Sequence, residues 1–517
     1  LSKLMSEHLH CTTFNVRAGG VTSATQYGGP GKSFGSGQGG GASGFNWIVN
    51  QDVTNCVLED HAIKACTIQD PRSGEIRHRN AFVFADDMNF LAMSTTENQS
   101  TETICHNLNT IGQTASDCIR ASGGSFGLPK CSWRCSTPYN YNQIQDEYPS
   151  RFPLQLTSTA ATQPSTIHQM RAHQPHRQLG VHFVPSLSPK YQIQLLTKRS
   201  KEIKVTLRRN SITAHQAATI FEHYIAPSIS YPCTTQSMKT SDIDKLQNIT
   251  FNPILAKLSM ASTSARDMLY LPAKFGGAGF KRWSIEILAQ QIALLLNQVD
   301  SPEWLGFILR ASMHTFQLKF GQATHFLEYQ HRILKNTITP TWITSIQSNA
   351  VAKSLLSIHG GWTPPKQREH DIHIGDLPEF TEADLSDHQL RLFHQTFQAL
   401  QVTTLADIVD ASGKTIRKSS FECTAATLSP YNWPIRKITL TREHKEVWQA
   451  VLSRLVSPNR TLYSQLGQWL VAPNKTLPYH KSNRGLIHIQ STGEWHLHLE
   501  VTQRSQRVTR HNSTEYQ

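Results

Sequence analysis

Two adjacent aspartates, Asp86 and Asp87, have the setting in this chain that most clearly suggests chemistry. An apolar run, Ala81-Phe82-Val83-Phe84, precedes them and a second, Met88 to Met93, follows. The pattern reads as a β-hairpin with Ala85-Asp86-Asp87 as its turn. Neighbouring carboxylates repel one another and add nothing to packing, but a divalent cation held against them reverses that balance. Mg²⁺ keeps few protein ligands and leaves room for substrate phosphates. Two such ions can clamp the attacking and leaving oxygens of a phosphoryl transfer. The competing reading of the same residues is an acidic turn facing water.

A second feature is cationic. Lys198, Arg199, Lys201, Lys204, Arg208 and Arg209 fall in a stretch of helical character, and positions 201, 204 and 208 share a face. Such a face can follow a nucleic-acid backbone regardless of sequence, although charge runs also serve as ordinary solvated faces. The net charge of +13 favours a polyanionic partner. Other groupings are weaker. Gly31-Lys32-Ser33 imitates the end of a P-loop, but that motif needs glycine where Gln26 stands and a helix directly after Ser33, where the chain is glycine-rich. The glycine-dense stretch is either a linker or a place where a base or deoxyribose approaches the backbone, with Gln38 offering a hydrogen bond. Cys131 and Cys135 lack a second Cys/His pair at zinc spacing, and His488, His496 and His498 read as surface residues rather than ligands.

Positioning these groups requires folded domains. The 517 residues, 38% of them hydrophobic, point to about two to four domains. Residues 1–30 read as helical at first, then loop-like. A helix is expected from Ala42 to Lys64, with Phe45, Ile48, Val49, Val53 and Val57 as its apolar positions. Another is expected from Glu97 to Ser122 through Ile104, Leu108, Ile111, Ala115 and Ile119, stopped by Gly123-Gly124, and then a short strand from Leu128 to Trp133. Residues 142–177, rich in Gln, Ser, Thr, Pro and His, read as a variable surface insertion. Order resumes at Leu179 to Phe183, and Pro189 to Asn297 is mostly helical. After a linker near Gly360 to Pro365 come helices near Asp387–Leu400 and Thr441–Val456, then a closing hairpin of Leu486–Ile489 with Trp495–Leu499. The nine cysteines are scattered and odd in number, which favours a reducing compartment. No apolar run is long enough to span a bilayer and no signal peptide is visible. The expectation is an intracellular protein, nuclear or cytoplasmic, neither secreted nor membrane-spanning. The first residue is Leu1, which reads as the start of a fragment.

Phe84-Ala85-Asp86-Asp87 resembles the aromatic-any-Asp-Asp motif of reverse transcriptases, and other segments follow in that family's order. Gly37-Gln38-Gly39-Gly40-Gly41-Ala42-Ser43 is similar to the Gln-Gly loop and helix start beside the nascent base pair. Gly123-Gly124 and then Gly127-Leu128-Pro129-Lys130-Cys131-Ser132-Trp133 resemble the next palm segment. Leu179-Gly180 is similar to the short strand that grips the primer end. Arg266 to Leu271, with Gly276-Gly277-Ala278-Gly279-Phe280, resembles the Arg…Leu-Pro…Gly-Gly-x-Gly stretch of many retrotransposon polymerases. The resemblance covers residues 1–300 or so and favours retroelements of the non-LTR kind over retroviruses.

This resemblance implies an α/β fold: a partial polymerase palm, an antiparallel sheet with packed helices, over residues 1–141. The insertion 142–177 follows, then a primer-grip-like strand and mostly helical thumb or connection over 178–360, and a mixed α/β C-terminal region, 361–517, of unassigned role. It implies RNA-directed DNA synthesis with two Mg²⁺ ions held partly by Asp86 and Asp87, and Lys130 near the departing pyrophosphate. A deoxynucleotide triphosphate would lie beside Gln38, Gly39, Phe84 and Ala85. An RNA template and DNA primer would lie along Lys198, Lys201, Lys204, Arg208, Leu179 and Gly180. No membrane partner is implied, and the oligomeric state is left open. The family's third metal-binding carboxylate sits on a strand before the Gln-Gly loop, yet the only acid between Leu1 and Gln38 is Glu7, and the fingers are absent. Because metal placement carries much of this catalysis, the chain as given is expected not to polymerise efficiently. The alternative is a non-catalytic nucleic-acid-binding remnant of such an element. A replicative RNA polymerase fits less well, since those usually carry Gly-Asp-Asp.

Overall fold

The computed structural model describes residues 51–470 with breaks at 64–65, 85–86, 94–98, 122–124, 140–142, 147–152, 158–163, 172, 185, 262, 329–340, 352–360, 378–384, 425–428, 430 and 434–437. It also describes the backbone of 13–18, 21–28, 43–50, 485–489, 494–498 and 509–511. The architecture is mixed α/β, dominated by helices, with small sheets. It divides into two packing units, Leu1–Ile68 with Ile76–Gln174, and Gln69–Glu75 with Pro175–Gln517.

In the first unit, β1 (Thr13–Ala18) pairs antiparallel with β2 (Val21–Gly28), where a helical beginning was expected. The Thr, Phe and Val of these segments favour strand, and the Gly19-Gly20 dipeptide between them has hairpin-loop chemistry. Helix α1 (Ser43–Asp60) then forms, but among its described side chains Thr54 and Leu58 are the buried ones while Val53 is 60% exposed and Val57 is exposed too. Its apolar residues are spread around the helix, so spacing alone does not select the inner face. That face is fixed by Leu58 packing with Ala81, Ile111 and Ala115, and by the buried Asn80 amide, which donates to the Leu58 and Ile63 carbonyls at 2.7 and 2.9 Å. β3 (Thr67–Gln69) pairs with β4 (Ile76–His78), and β5 (Ala81–Phe84) pairs antiparallel with β6 (Asp87–Phe90). Helix α2 (Thr101–Ala121) buries Cys105, Ile111, Gly112, Ala115 and Ser116.

The segment read as a surface insertion has a structural role in its described residues. β7 (Ser132–Trp133) is followed by β8 (Ser136–Tyr139), β9 (Gln143–Asp146), β10 (Gln155–Leu156), β11 (Ser165–Thr166) and β12 (His168–Gln169). β8 pairs with β9, β10 with β11, and β12 runs parallel to β7. Leu154, Leu156 and Ile167 share a core with Cys105 and Trp133. Side chains of α2 complete the attachment: Asn109 accepts the Gln155 amide at 2.8 Å, Gln113 accepts the Thr157 amide at 3.0 Å, and the Ser116 hydroxyl donates to the Thr157 carbonyl at 2.8 Å. These bonds satisfy strand backbone that would otherwise be orphaned, which explains how a segment of low apolar content is ordered there.

The second unit opens with β13 (His176–Gln178) and β14 (Val181–Phe183), an antiparallel hairpin, and continues into α3 (Lys190–Arg209) and α4 (Ala214–Ile220). A π-turn, Phe221–Ile225, joins α4 to α5 (Ala226–Thr234), and α6 (Thr240–Lys257) packs along α3. Then follow α7 (Asp267–Tyr270), α8 (Trp283–Val299), α9 (Trp304–Phe320), α10 (Trp342–Val351), α11 (Asp387–Leu400), α12 (Lys418–Phe421) and α13 (Arg442–Leu452). A three-stranded antiparallel sheet, β15 (Gly485–Ile489), β16 (Glu494–His498) and β17 (Thr509–His511), comes last. Phe221 anchors the first helical core, stacked between Phe251 at 4.6 Å and Trp283 at 5.3 Å with Phe280 edge-on. A second core centres on Phe393 stacked against Trp448 at 5.1 Å, between α11 and α13, whose N-termini carry capping boxes from Ser386 and Thr441.

The Gln69–Glu75 loop belongs to this unit through Asp70, which is only 7% exposed. Its carboxylate pairs with His314 Nδ1 at 2.7 Å and accepts the Arg72 N–H and the Ser73 hydroxyl, each at 3.0 Å. Burial alone would raise this carboxyl's pKa, but the bonds from His314, Arg72 and Ser73 hold it below the ordinary value. A lowered folded pKa contributes stability that is present above the unfolded value of about 3.9 and is lost as pH falls through the folded one. Asp70→Asn is therefore expected to cost about 1–3 kcal/mol near neutral pH. In urea titrations of both proteins across pH, the difference should narrow below about pH 4. A pH-independent difference would contradict the assignment.

Candidate nucleic-acid interface and the acidic hairpin

The β5–β6 register pairs Phe84 with Asp87, so Ala85 and Asp86 are the two residues between the paired ends. Asp87 is therefore the first residue of a strand, not part of the turn as its sequence suggested. Its side chain is exposed and has no polar partner among the described residues. Asp86 and Ala85 lie outside the described residues, as do Gln38 and Gly39, and of Phe84 only the backbone is described. Lys130 ends a 3₁₀ turn, Leu128–Lys130, where a strand was expected. Pro129 lacks the N–H that strand pairing would use, and the strand begins only at Ser132. Lys130 is exposed, and no bond joins it to Asp87 among the described residues. An exposed carboxylate is a suitable oxygen donor for a hard divalent ion. Among the described residues no group of three or more His, Cys, Asp or Glu side chains could hold a metal.

Leu179 and Gly180 are brought together with the basic helix. They form the two-residue loop of the β13–β14 hairpin, with φ of +48° and +84°, rather than a strand. Positive φ at both central residues belongs to a type I′ turn, which favours Asn-Gly. A leucine in that region costs about 1–2 kcal/mol, yet Leu179 is 41% exposed, so little burial offsets the strain. Two helix side chains and one from the turn after α5 hold the hairpin. Gln192 on α3 accepts the His182 N–H at 2.9 Å, Gln236 donates to the His182 carbonyl at 2.6 Å, and the Tyr231 hydroxyl on α5 donates to the Leu179 carbonyl at 3.1 Å. The His182 ring also packs against Tyr191 at 5.4 Å. Gln192, Gln236 and Tyr231 carried no local signal in the sequence, because their partners lie far away or on backbone atoms.

α3 leads directly from this hairpin. It buries Gln192, Leu196, Ser200 and Leu207, with Ile193 and Ile203 half-buried, against the helical core. Lys198, Arg199, Lys201, Arg208 and Arg209 are exposed and Lys204 is half-buried. None of these six forms an ion pair among the described residues. By contrast, Lys281 and Arg282 are spent on Glu286 at 3.2 Å and Asp244 at 2.9 Å. Among the described residues the α3 cations are thus not committed to acids.

The Gly-Gly-x-Gly stretch has a structural explanation. A Cβ on Gly277 would sit 2.0 Å from the Leu271 carbonyl oxygen, and Gly276 and Gly279 have φ of +81° and +73°. The amides of Ala278, Gly279 and Phe280 donate to the carbonyls of Met268, Leu271 and Leu269 at 3.1, 2.9 and 2.8 Å. These donors are thereby used internally rather than presented to an anion.

Comparison with protein-family models and with curated proteins finds no match for this chain.

Two outcomes follow. Replacing Lys201, Lys204 and Arg208 together by Ala should weaken RNA–DNA binding for all sequences and flatten its salt dependence by up to about three units of slope. An unchanged slope would remove α3 from the interface. Leu179→Asn should raise stability by about 1 kcal/mol through relief of strain. Thermal melts and fluorescence anisotropy read the two effects separately.

Proposed function

We propose that the chain is part of an RNA-directed DNA polymerase of a retroelement of the non-LTR kind, with Asp86 and Asp87 on its metal-binding hairpin. The observation that supports this reading is the Phe84–Asp87 register, which puts Asp87 at the end of a hairpin strand with Asp86 next to it in sequence. The order along the chain supports it. α2 and the Lys130 turn follow the hairpin, and the braced Leu179-Gly180 tip and basic α3 come after. In this reading Asp86 and Asp87 would hold Mg²⁺ through carboxylate oxygens. When bound, the ions would neutralise triphosphate charge and stabilise the attacking and leaving oxygens. Phe84 and Ala85, with Gln38 and Gly39, would border the incoming nucleotide, and Lys130 would supply positive charge toward the leaving pyrophosphate. Leu179 and Gly180 would position the primer end, and Lys198, Lys201, Lys204 and Arg208 would run along the backbone of the template–primer duplex.

A second reading is a nucleic-acid-binding remnant without catalysis, which uses the same exposed basic face of α3 and leaves the acidic pair idle. Purified chain should bind an RNA–DNA hybrid but not extend a primed RNA template in Mg²⁺ above background. Extension that Asp86→Ala abolishes would exclude the remnant. Failure to bind the hybrid at low salt would exclude both readings.

A further inference from the structure

We propose that Tyr224 and Tyr231 form a stacking track for unpaired bases beside the Leu179-Gly180 tip, an inference that rests on the nucleic-acid reading above. Both rings face solvent, Tyr224 at 71% and Tyr231 at 52% exposure. They stand seven positions apart, roughly 10 Å along the helix axis and on nearly the same side. Phe221–Ile225 is a π-turn, closed by the Ala226 N–H donating to the Phe221 carbonyl. This wider turn keeps Phe221 and Ile225 buried while Glu222, His223 and Tyr224 face water. Such insertions in a regular helix recur at functional sites. At the other end of the track, Tyr231 binds the Leu179 carbonyl, and its ring edge is the nearest atom to a Cβ built on Gly180, at 4.0 Å. The track therefore starts at the strained hairpin tip.

The occupant is a single strand of nucleic acid. The two exposed rings stand on either side of the exposed Pro227, with the half-buried Ser228 beside it. Successive bases offer matching faces whatever their identity. The helix packed on the same hairpin, α3, supplies exposed cations that form no ion pair among the described residues. Tyr231 thus has two separable roles: its hydroxyl positions the tip and its ring stacks.

The test measures binding of a short single-stranded RNA carrying 2-aminopurine, followed by fluorescence quenching and by affinity across salt. Tyr224→Ala should bind about tenfold more weakly with diminished quenching, and Tyr231→Ala at least as weakly. Tyr231→Phe, which keeps the ring, should remain within about twofold of wild type. The salt slope should not change, because stacking releases no counterions. Wild-type affinity in Tyr224→Ala and Tyr231→Ala, alongside weak binding by the Lys201, Lys204 and Arg208 variant, would refute the track and leave the broader reading standing. No binding by wild type would refute both. Altered self-association of the tyrosine variants with unaltered RNA binding would assign the face to protein contact and also refute the proposal.

Discussion

The backbone of His182 depends on two side-chain amides, Gln192 accepting its N–H and Gln236 donating to its carbonyl. A two-stranded hairpin has little stability of its own in water. These bonds place its edge against buried amides rather than leaving it open. Each contributes about 1 kcal/mol net, but removing one strands a partly buried backbone group at a cost of about 1–3 kcal/mol. Gln291 extends the arrangement, since its amide donates to the carbonyls of Cys233, Thr234 and Gln236 at the end of α5. The hairpin tip, the start of α3 and the end of α5 are therefore one braced element. Leu179 can hold a left-handed conformation because its surroundings determine it.

The distribution of unpaired charge sets what this element can meet. The chain's excess of +13 matters less than the fact that, among the described residues, the α3 cations form no ion pair while Lys281 and Arg282 are paired with Glu286 and Asp244. Free, exposed cations on one helix act over a Debye length of about 8–10 Å and lose that influence as salt rises. At the acidic hairpin the sign is reversed. Asp87 is exposed and has no polar partner among the described residues, next in sequence to a second aspartate, and such a pair is relieved by a metal ion or by water alone.

Long, strongly periodic elements were legible in the residues. α11 begins after Ser386 and α13 after Thr441, where cap residue and apolar spacing agree, and the β5–β6 hairpin lies where its apolar runs placed it. The register was not legible to one residue, so Asp87 was assigned to a turn when it pairs with Phe84. On α1 the exposed Val53 and Val57 outweighed Thr54 in the sequence pattern, although Asn80 and Leu58 decide the inner face through tertiary contacts. The strands within 142–177 escaped notice because their order comes from Asn109, Gln113 and Ser116 of α2 rather than from their own periodicity. The bracing glutamines were hidden for the same reason: an amide that satisfies a distant backbone group leaves no local pattern.

The most direct test is to photocrosslink an RNA–DNA hybrid bearing photoreactive bases along both strands to the intact chain and map the adducts by mass spectrometry. The account predicts adducts concentrated in Arg177–Arg209 and reduced when competitor hybrid or high salt is added. Adducts confined to other segments, or spread without regard to competitor, would contradict it.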